Sequence, residues 1–432
     1  MDIHQQLAAL RKRVARIDAK YQAPGPVRSP FGVVPLPTRP VFAAEANAAA
    51  REFVDEIVSG EVIENSSGKH FQTVKTYERH RRYGSMDISN LAEMPHDLLE
   101  AISNGDSGTA PPERWAFLDT ETTGLAGGSG TYAFLVGVGS VNPQGGFTVK
   151  QFFMRNYDEE PSMLEALTEH LKQFEILVTY NGKSYDQPLL ETRYRMSRAR
   201  PPFSSMRHVD LLHGARRLWK LRFDSCRLIE LENRILGLER QGDLPGEMIP
   251  YVYFEFIRTQ EAFRVAPILH HNVLDIVTLA CLTAIVPFAF KSPSEFRFGH
   301  GAEMVGLSRW LKQAGQDDQA ADFLRTAVAQ SSKDARGLRD GLLHRAMWDL
   351  AGLEKKLGRE DAAISVLTEL TAMPNLHRCE AYTELAKHFE HREKNYAMAL
   401  EMTRSALRLA ETPELLKRME RLARKASARR LL

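Results

Sequence analysis

From Trp115 onward the hydrophobic period of the chain changes in an order that few folds can accommodate. Short apolar runs at 115–119, 132–141 and 147–153 read as strands, and the last two are joined by the turn "NPQGG". A helical period then occupies 163–174 and 184–196, with further strand-like runs at 176–180 and 208–212. Three consecutive strands form an antiparallel meander, whereas strand–helix–strand needs a parallel crossover. The expected core is a mixed five-stranded α/β sheet with helices on its faces.

The first of these strands ends in Asp119-Thr120-Glu121 and runs into the glycine-rich "GLAGGSGTY". Alternation sends both carboxylates to one face, where they repel unless something positive lies between them. A divalent cation meets that requirement. Two further acidic stations follow. "LVTYNGKSYDQPLL" places Asp186 one turn into a helix that leaves the strand at 176–180, near the C-terminal end where open sheets carry their sites. "VAPILHHNVLDIVTLACL" places Asp275 on a late helix behind His270 and His271. The four carboxylates converge if that helix lies across the first strand, and an all-oxygen set suits hard cations such as Mg²⁺ or Mn²⁺. On a continuous helix His271, four positions before Asp275, falls about 40° from it, whereas His270 falls about 140° away. Pro267 suits a first helical turn, which would place both histidines on the helix and His271 with Asp275. If the helix begins later, His270 reaches the site from a loop instead.

"DTETTGL", "YNGKSYD" and "HHNVLD", in that order on that strand pattern, resemble the DEDD exonuclease superfamily, whose core is ribonuclease-H-like. With "HVDLLHGARRLWK", "CRLIELENRILGL" and "DLPGEMIP", the stretch 115–284 is similar to the YprB-type ribonuclease-H-like proteins, which often carry C-terminal tetratricopeptide repeats. The resemblance covers somewhat under half of the chain. It implies hydrolysis of phosphodiester bonds in RNA or single-stranded DNA, as a 3′–5′ exonuclease, by two Mg²⁺ or Mn²⁺ ions. Such ions sit about 3.5–4 Å apart and reverse a field that would otherwise repel the substrate. On this resemblance Asp119 bridges both ions, Glu121 and Asp275 serve the ion that activates water, and Asp186 serves the second. The general base in the superfamily is a histidine five positions before the last aspartate or a tyrosine four before it. Here His270 and His271 hold those places; the facing argument favours His271, with His270 as the alternative. Thr122, Thr123 and Leu125 match positions near the terminal nucleotide, and Asn181 is a further expected substrate contact.

The glycines of "GLAGGSGTY" are followed by a strand, with no GxGxxG-helix or GK[ST] pattern, so they read as a tight connection that lets a nucleic-acid strand approach. "HGARRLWKLR" combines Arg216, Arg217, Lys220 and Arg222 with Trp219. It is either a backbone-binding surface or a solvated helix face over a core tryptophan. Asp210 is strand-borne and acidic but stands outside the four.

Residues 1–110 open with a heptad-like helix (Ile3, Leu7, Leu10, Val14, Ile17, Tyr21), packed on its own protein or serving a dimer or phosphate contact. A proline-rich strap, a helix near 44–58 and a region of low signal follow. The exonuclease-like domain is assigned to 111–290. After Pro287 "GQDDQAADFLRTAVAQ", "GREDAAISVLTELTAM" and "EKNYAMALEMTRSALRL" place Ala320, Ala363 and Ala399 in equivalent positions, with Ala327, Leu370 and Ala406 two turns on. Such a period belongs to helix-hairpin stacks, so 298–432 is read as tetratricopeptide-like repeats for a protein partner. Few contacts are expected to cross the boundary near Ser292.

A net charge of +2 excludes neither nucleic acid nor its absence. Three scattered cysteines fit buried thiols in a reducing compartment. No leader pattern opens the chain, and its longest apolar run, 279–290, falls short of the roughly 18 residues of a membrane span. A soluble cytoplasmic protein without membrane partners is therefore expected. Two rival readings are a nucleic-acid-binding scaffold with a feeble core and a phosphodiesterase of small nucleotides.

Overall fold

The computed structural model describes residues 58–103, 105–124, 130–331 and 337–428. The heptad-like helix, the proline-rich strap, the 44–58 helix up to its last residue, and Leu125 lie outside them.

The described strands are β1 (Glu61–Asn65), β2 (Gly68–Tyr77), β3 (Arg82–Tyr83), β4 (Met86–Asp87), β5 (Trp115–Thr122), β6 (Ala133–Val141), β7 (Phe147–Phe153), β8 (Ile176–Thr179) and β9 (Arg207–Asp210). The main sheet runs β1-β2-β7-β6-β5-β8-β9, and β3-β4 form a separate hairpin. β5, β6 and β7 are the antiparallel meander, while β8 and β9 add in parallel beside β5. The five-stranded mixed core is thus present, and β2 and β1 extend it at the β7 edge to seven strands. Those two come from a region whose sequence signal is low. The reason lies in β2, which buries His70, Gln72 and Thr73 beside Phe71 and so lacks apolar alternation.

Helices α1 (Glu160–Leu171) and α2 (Asp186–Met196) precede β8 and β9 respectively, and α3 (Leu211–Trp219) follows β9. The last strand ends two residues before 212, because the Asp210 carboxylate accepts the Leu212 N–H and starts α3. After α4 (Ile249–Thr259), α5 (Ala266–Lys291) crosses β5 and β6 with Pro267 in its first turn. What lets it lie so close is "VGVG". A Cβ at Gly137 would stand 2.2 Å from Asn272 Oδ1 and Ile276 Cδ1, and one at Gly139 would stand 2.5 Å from Ile276 Cγ2. As a helix, α5 is long and apolar enough to cross a membrane, longer than the 279–290 run alone indicates, but 72% of its apolar window is buried within the fold. Its hydropathy is that of a core helix covered on several sides.

Beyond it lie α6 (Gly301–Gln313), α7 (Asp317–Ser331), α8 (Asp340–Lys356), α9 (Glu360–Ala372), α10 (Arg378–His391), α11 (Tyr396–Leu407) and α12 (Pro413–Ala428), each packed on the next. The repeated alanines and Leu370 are all buried on α7, α9 and α11, as close helix pairing requires.

Few crossing contacts at Ser292 was the expectation, and the packing differs from it. One apolar cluster runs from Trp115, Ile176 and Val209 of the sheet through α3 and α5 to Leu307, Leu324 and Leu353 of α6–α8. Trp219 Nε1–H donates to Glu303 Oε1 at 3.1 Å, Arg222 pairs with the same carboxylate at 2.6 Å, and Gly306 abuts the Arg217 carbonyl. The cause is an α3 apolar on two sides, whose outer side needs α6. Of the cysteines only Cys281 is buried; Cys226 and Cys379 line surface clefts.

Candidate metal centre

Asp119 and Glu121 lie half-buried on one face of β5, while Leu118, Thr120 and Thr122 are buried on the other. Asp119 pairs across the ladder with Gly137, whose missing side chain makes room for Asn272. Asn272 Nδ2 donates to Asp119 Oδ2 at 2.9 Å. Its own Oδ1 accepts from Gln151 Nε2 at 2.8 Å, and Gln151 Oε1 accepts from Thr73 Oγ1 at 2.8 Å. This buried chain starts on β2 and fixes the orientation of Asp119.

From α5, His271 and Asp275 face β5. Ligand atoms of Glu121, His271 and Asp275 lie within 4.8 Å of one another, and His271 Nε2 stands 3.5 Å from Asp275 Oδ2. His271 Nδ1–H donates to Asp243 Oδ2 at 2.8 Å, which presents Nε2 to the site. His270, one residue earlier, is exposed on the helix. Asp186 opens α2 and turns its Oδ1 to Thr120 Oγ1 at 2.5 Å, outside that close group yet near enough to act on Asp119 and Glu121.

The electrostatics express crowding. Burial, then Asp275 and Asp186, push the Asp119 carboxyl far above the usual range. Burial, then Asp119 and Asp275, do the same to Glu121. Burial raises Asp186 to about 6, with the Thr120 hydroxyl holding it back. His271 is raised, because the Asp243 bond and the Asp275 charge outweigh its burial; burial lowers His270. The cation inside this ring is Arg240, which bonds Asp275 Oδ1 at 2.5 Å, Glu232 Oε2 at 2.7 Å and Asp243 Oδ2 at 3.1 Å. Tyr83 of β3 donates to Glu232 Oε1 at 3.1 Å. The segment from β2 to β3 therefore supports both Asp119 and Asp275.

Other expected contacts divide. Thr122 Oγ1 donates to the Gly124 carbonyl and Thr123 Oγ1 accepts the Tyr132 N–H, so both close the mouth of the β5–β6 hairpin. Asn181, at φ 69°, donates its N–H to Asp210, which also accepts from Lys183 N–H. Asn181 and Arg216 line one cleft. Arg217 is half-buried with its main chain against α6, and Trp219 is a core residue.

A family model of the RNase_H superfamily matches residues 116–286, the span that contains Asp119, Glu121, Asp186, Asp243 and Asp275. Over 320 residues, 72% of this chain and 75% of the relative, the sequence is 35% identical to the uncharacterized protein YprB of Bacillus subtilis (strain 168). The chain belongs to the YprB family. In this YprB-family chain Asn272 carries a readable signal, since it stands three positions before Asp275 and so shares its helix face. Glu232 and Asp243 lie in the stretches "CRLIELENRILGL" and "DLPGEMIP" that carry the resemblance, but nothing in the sequence assigns them, or Arg240, to the site. They sit in a short irregular helix and the loop after it, far in sequence from the residues they hold, and no periodicity links them.

Proposed function

We propose that the chain is a metal-dependent nuclease that hydrolyses phosphodiester bonds of nucleic acid, working from the 3′ end. The observation that carries this reading is the convergence of Asp119, Glu121 and Asp275 with His271 at one end of β5, with Asp186 beside them. The donor set fits hard divalent cations. It is rich in carboxylate oxygen, burial and then the neighbouring acids raise Asp119 and Glu121, and one guanidinium faces several acids. Asp119, Glu121, Asp275 and Asp186 would hold the ions. Bound there, two Mg²⁺ or Mn²⁺ would neutralise a phosphodiester and clamp the attacking and leaving oxygens of an in-line displacement.

The remaining work falls to the chain. Asn272 keeps one Asp119 oxygen fixed so that the other can point into the site. His271 accepts the proton of the attacking water at Nε2, and Asp243, bonded to Nδ1–H, fixes the tautomer and stabilises the imidazolium that results. The Arg240–Asp275 ion pair favours the scaffold alternative, because it ties up an oxygen that a cation needs.

Incubation with Mn²⁺ and end-labelled single-stranded and duplex RNA and DNA decides between them. A ladder that shortens from the 3′ end and stops on chelation is expected. Cleavage indifferent to chelator, or no Mn²⁺ binding by calorimetry, overturns the proposal.

A further inference from the structure

Beside the carboxylates lies a second, chemically different site. A cleft of ≈ 560 Å³ opens at the C-terminal ends of β8 and β9, with Tyr180, Asn181, Arg216, Lys220, Asp224 and Arg227 in its wall. Lys220 caps α3 one turn after Arg216, its N–H on the Arg216 carbonyl, so the two share a face, and Arg227 joins them from the following loop. All three are exposed, and among the described residues none has an ion-pair partner. By contrast, Arg222 is held by Glu303, Arg240 by three acids and Arg155 by Glu159. Three unpaired cations against Asp224 alone leave the cleft net positive.

Its position relates it to the metal centre. Phe117 of β5 pairs with Val178 of β8 at the last rung of their ladder; Asp119 follows two residues on along β5, and Tyr180 two residues on where the chain leaves β8. The loop from Tyr180 to Asp186 has its first residues in the cleft and its last at the carboxylates. Asp210 holds that loop by accepting the Asn181 and Lys183 N–H groups. A strand whose 3′ end lies at Asp119 and Glu121 would pass its preceding phosphates over this loop.

We infer that the cleft formed by Arg216, Lys220 and Arg227 holds the backbone phosphates of the nucleotides preceding the scissile bond. The inference rests on the nuclease reading and adds a requirement for substrate length. Backbone phosphates are bound through charge without regard to sequence, so the cleft selects a strand over a free nucleotide.

The test uses the full chain with R216A/K220A/R227A, and the charge-preserving R216K/R227K as a control for folding. Binding of a fluorescein-labelled single-stranded 12-mer is followed by anisotropy in chelator across a salt series. Hydrolysis in Mn²⁺ is compared on the 12-mer and on the p-nitrophenyl ester of thymidine 5′-monophosphate, which has one phosphate. The triple variant is expected to bind the 12-mer at least tenfold more weakly. Its dependence of log affinity on log salt should be shallower by about 2, as three single-strand contacts at ~0.7 each require. Its ratio of kcat/KM on the 12-mer to that on the ester should fall at least tenfold, while R216K/R227K keeps 12-mer affinity within about threefold. Wild-type affinity and salt slope in the triple variant overturn the inference and leave the nuclease reading standing. A wild type that binds the 12-mer through these residues but hydrolyses neither substrate overturns the nuclease reading and upholds the cleft as a strand-binding site.

Discussion

Glu121 is held in the folded chain at a cost that depends on pH. Its folded pKa lies well above the ordinary value, so the native state keeps a proton that the unfolded chain releases. Stability from this source is therefore full below the ordinary carboxylate pKa and is lost as pH rises toward the folded value. In chelator, the melting temperature of the wild type should fall more steeply than that of E121Q as pH rises above the ordinary carboxylate range, and saturating Mn²⁺ should flatten the difference. His70, His170 and His208, lowered to about 4 by burial, act in the opposite direction below pH 6.5, which is why the comparison is between variants. D119A or E121A should abolish cleavage and leave the fold intact. H271A should reduce kcat by the roughly 10² to 10⁴ typical of a lost general base, with H270A much milder; the reverse ranking would assign the role to His270. R240M strands Glu232, Asp243 and Asp275 without their cation. Urea denaturation in chelator should show a loss of about 3–5 kcal/mol, the range for a broken buried ion pair. The four carboxylates and the two histidines were legible because each stands in a local pattern, whereas Arg240 and Asp243 act on residues that only the folded chain brings near.

At the level of the elements, the distance between α5 and the sheet is set by Gly137 and Gly139. Alanine at Gly137 meets Asn272 and Ile276 at once, so G137A should destabilise by about 1–3 kcal/mol, as overpacking does. It should also weaken Mn²⁺ binding measured by calorimetry, because Asn272 is displaced from Asp119. An intact Mn²⁺ affinity would mean that the helix yields without moving its polar residues. β5 through β9 were readable from hydrophobic period alone. β2 was not, since a strand that buries His70, Gln72 and Thr73 conceals itself among polar residues, and its Thr73 begins the chain of donors that ends at Asp119.

For the whole molecule, the shared apolar cluster bears on where the chain can be cut. A chain ending after Ser292 would expose the side of α3 against which α6 packs and cut the apolar cluster that joins the sheet to α6–α8. It should be insoluble, or molten by near-ultraviolet circular dichroism, whereas the full chain keeps its aromatic signal; a crisp near-ultraviolet spectrum from the short chain would show that the helices are dispensable to the core. The packed C-terminal helices were legible from spaced alanines, but their union with the sheet was not, because Trp219 and Glu303 give no sign in sequence that they meet. That union also imposes a delay during synthesis. The acidic site is complete in the nascent chain at Asp275, yet α6 to α8, which cover the helices behind it, end their part of the cluster only at Leu353. At 5–20 residues per second the roughly 80 residues between them take about 4–16 s. Through that interval the most apolar helix among the described residues waits on the ribosome with one side bare, and its escape from aggregation depends on how soon α6 arrives.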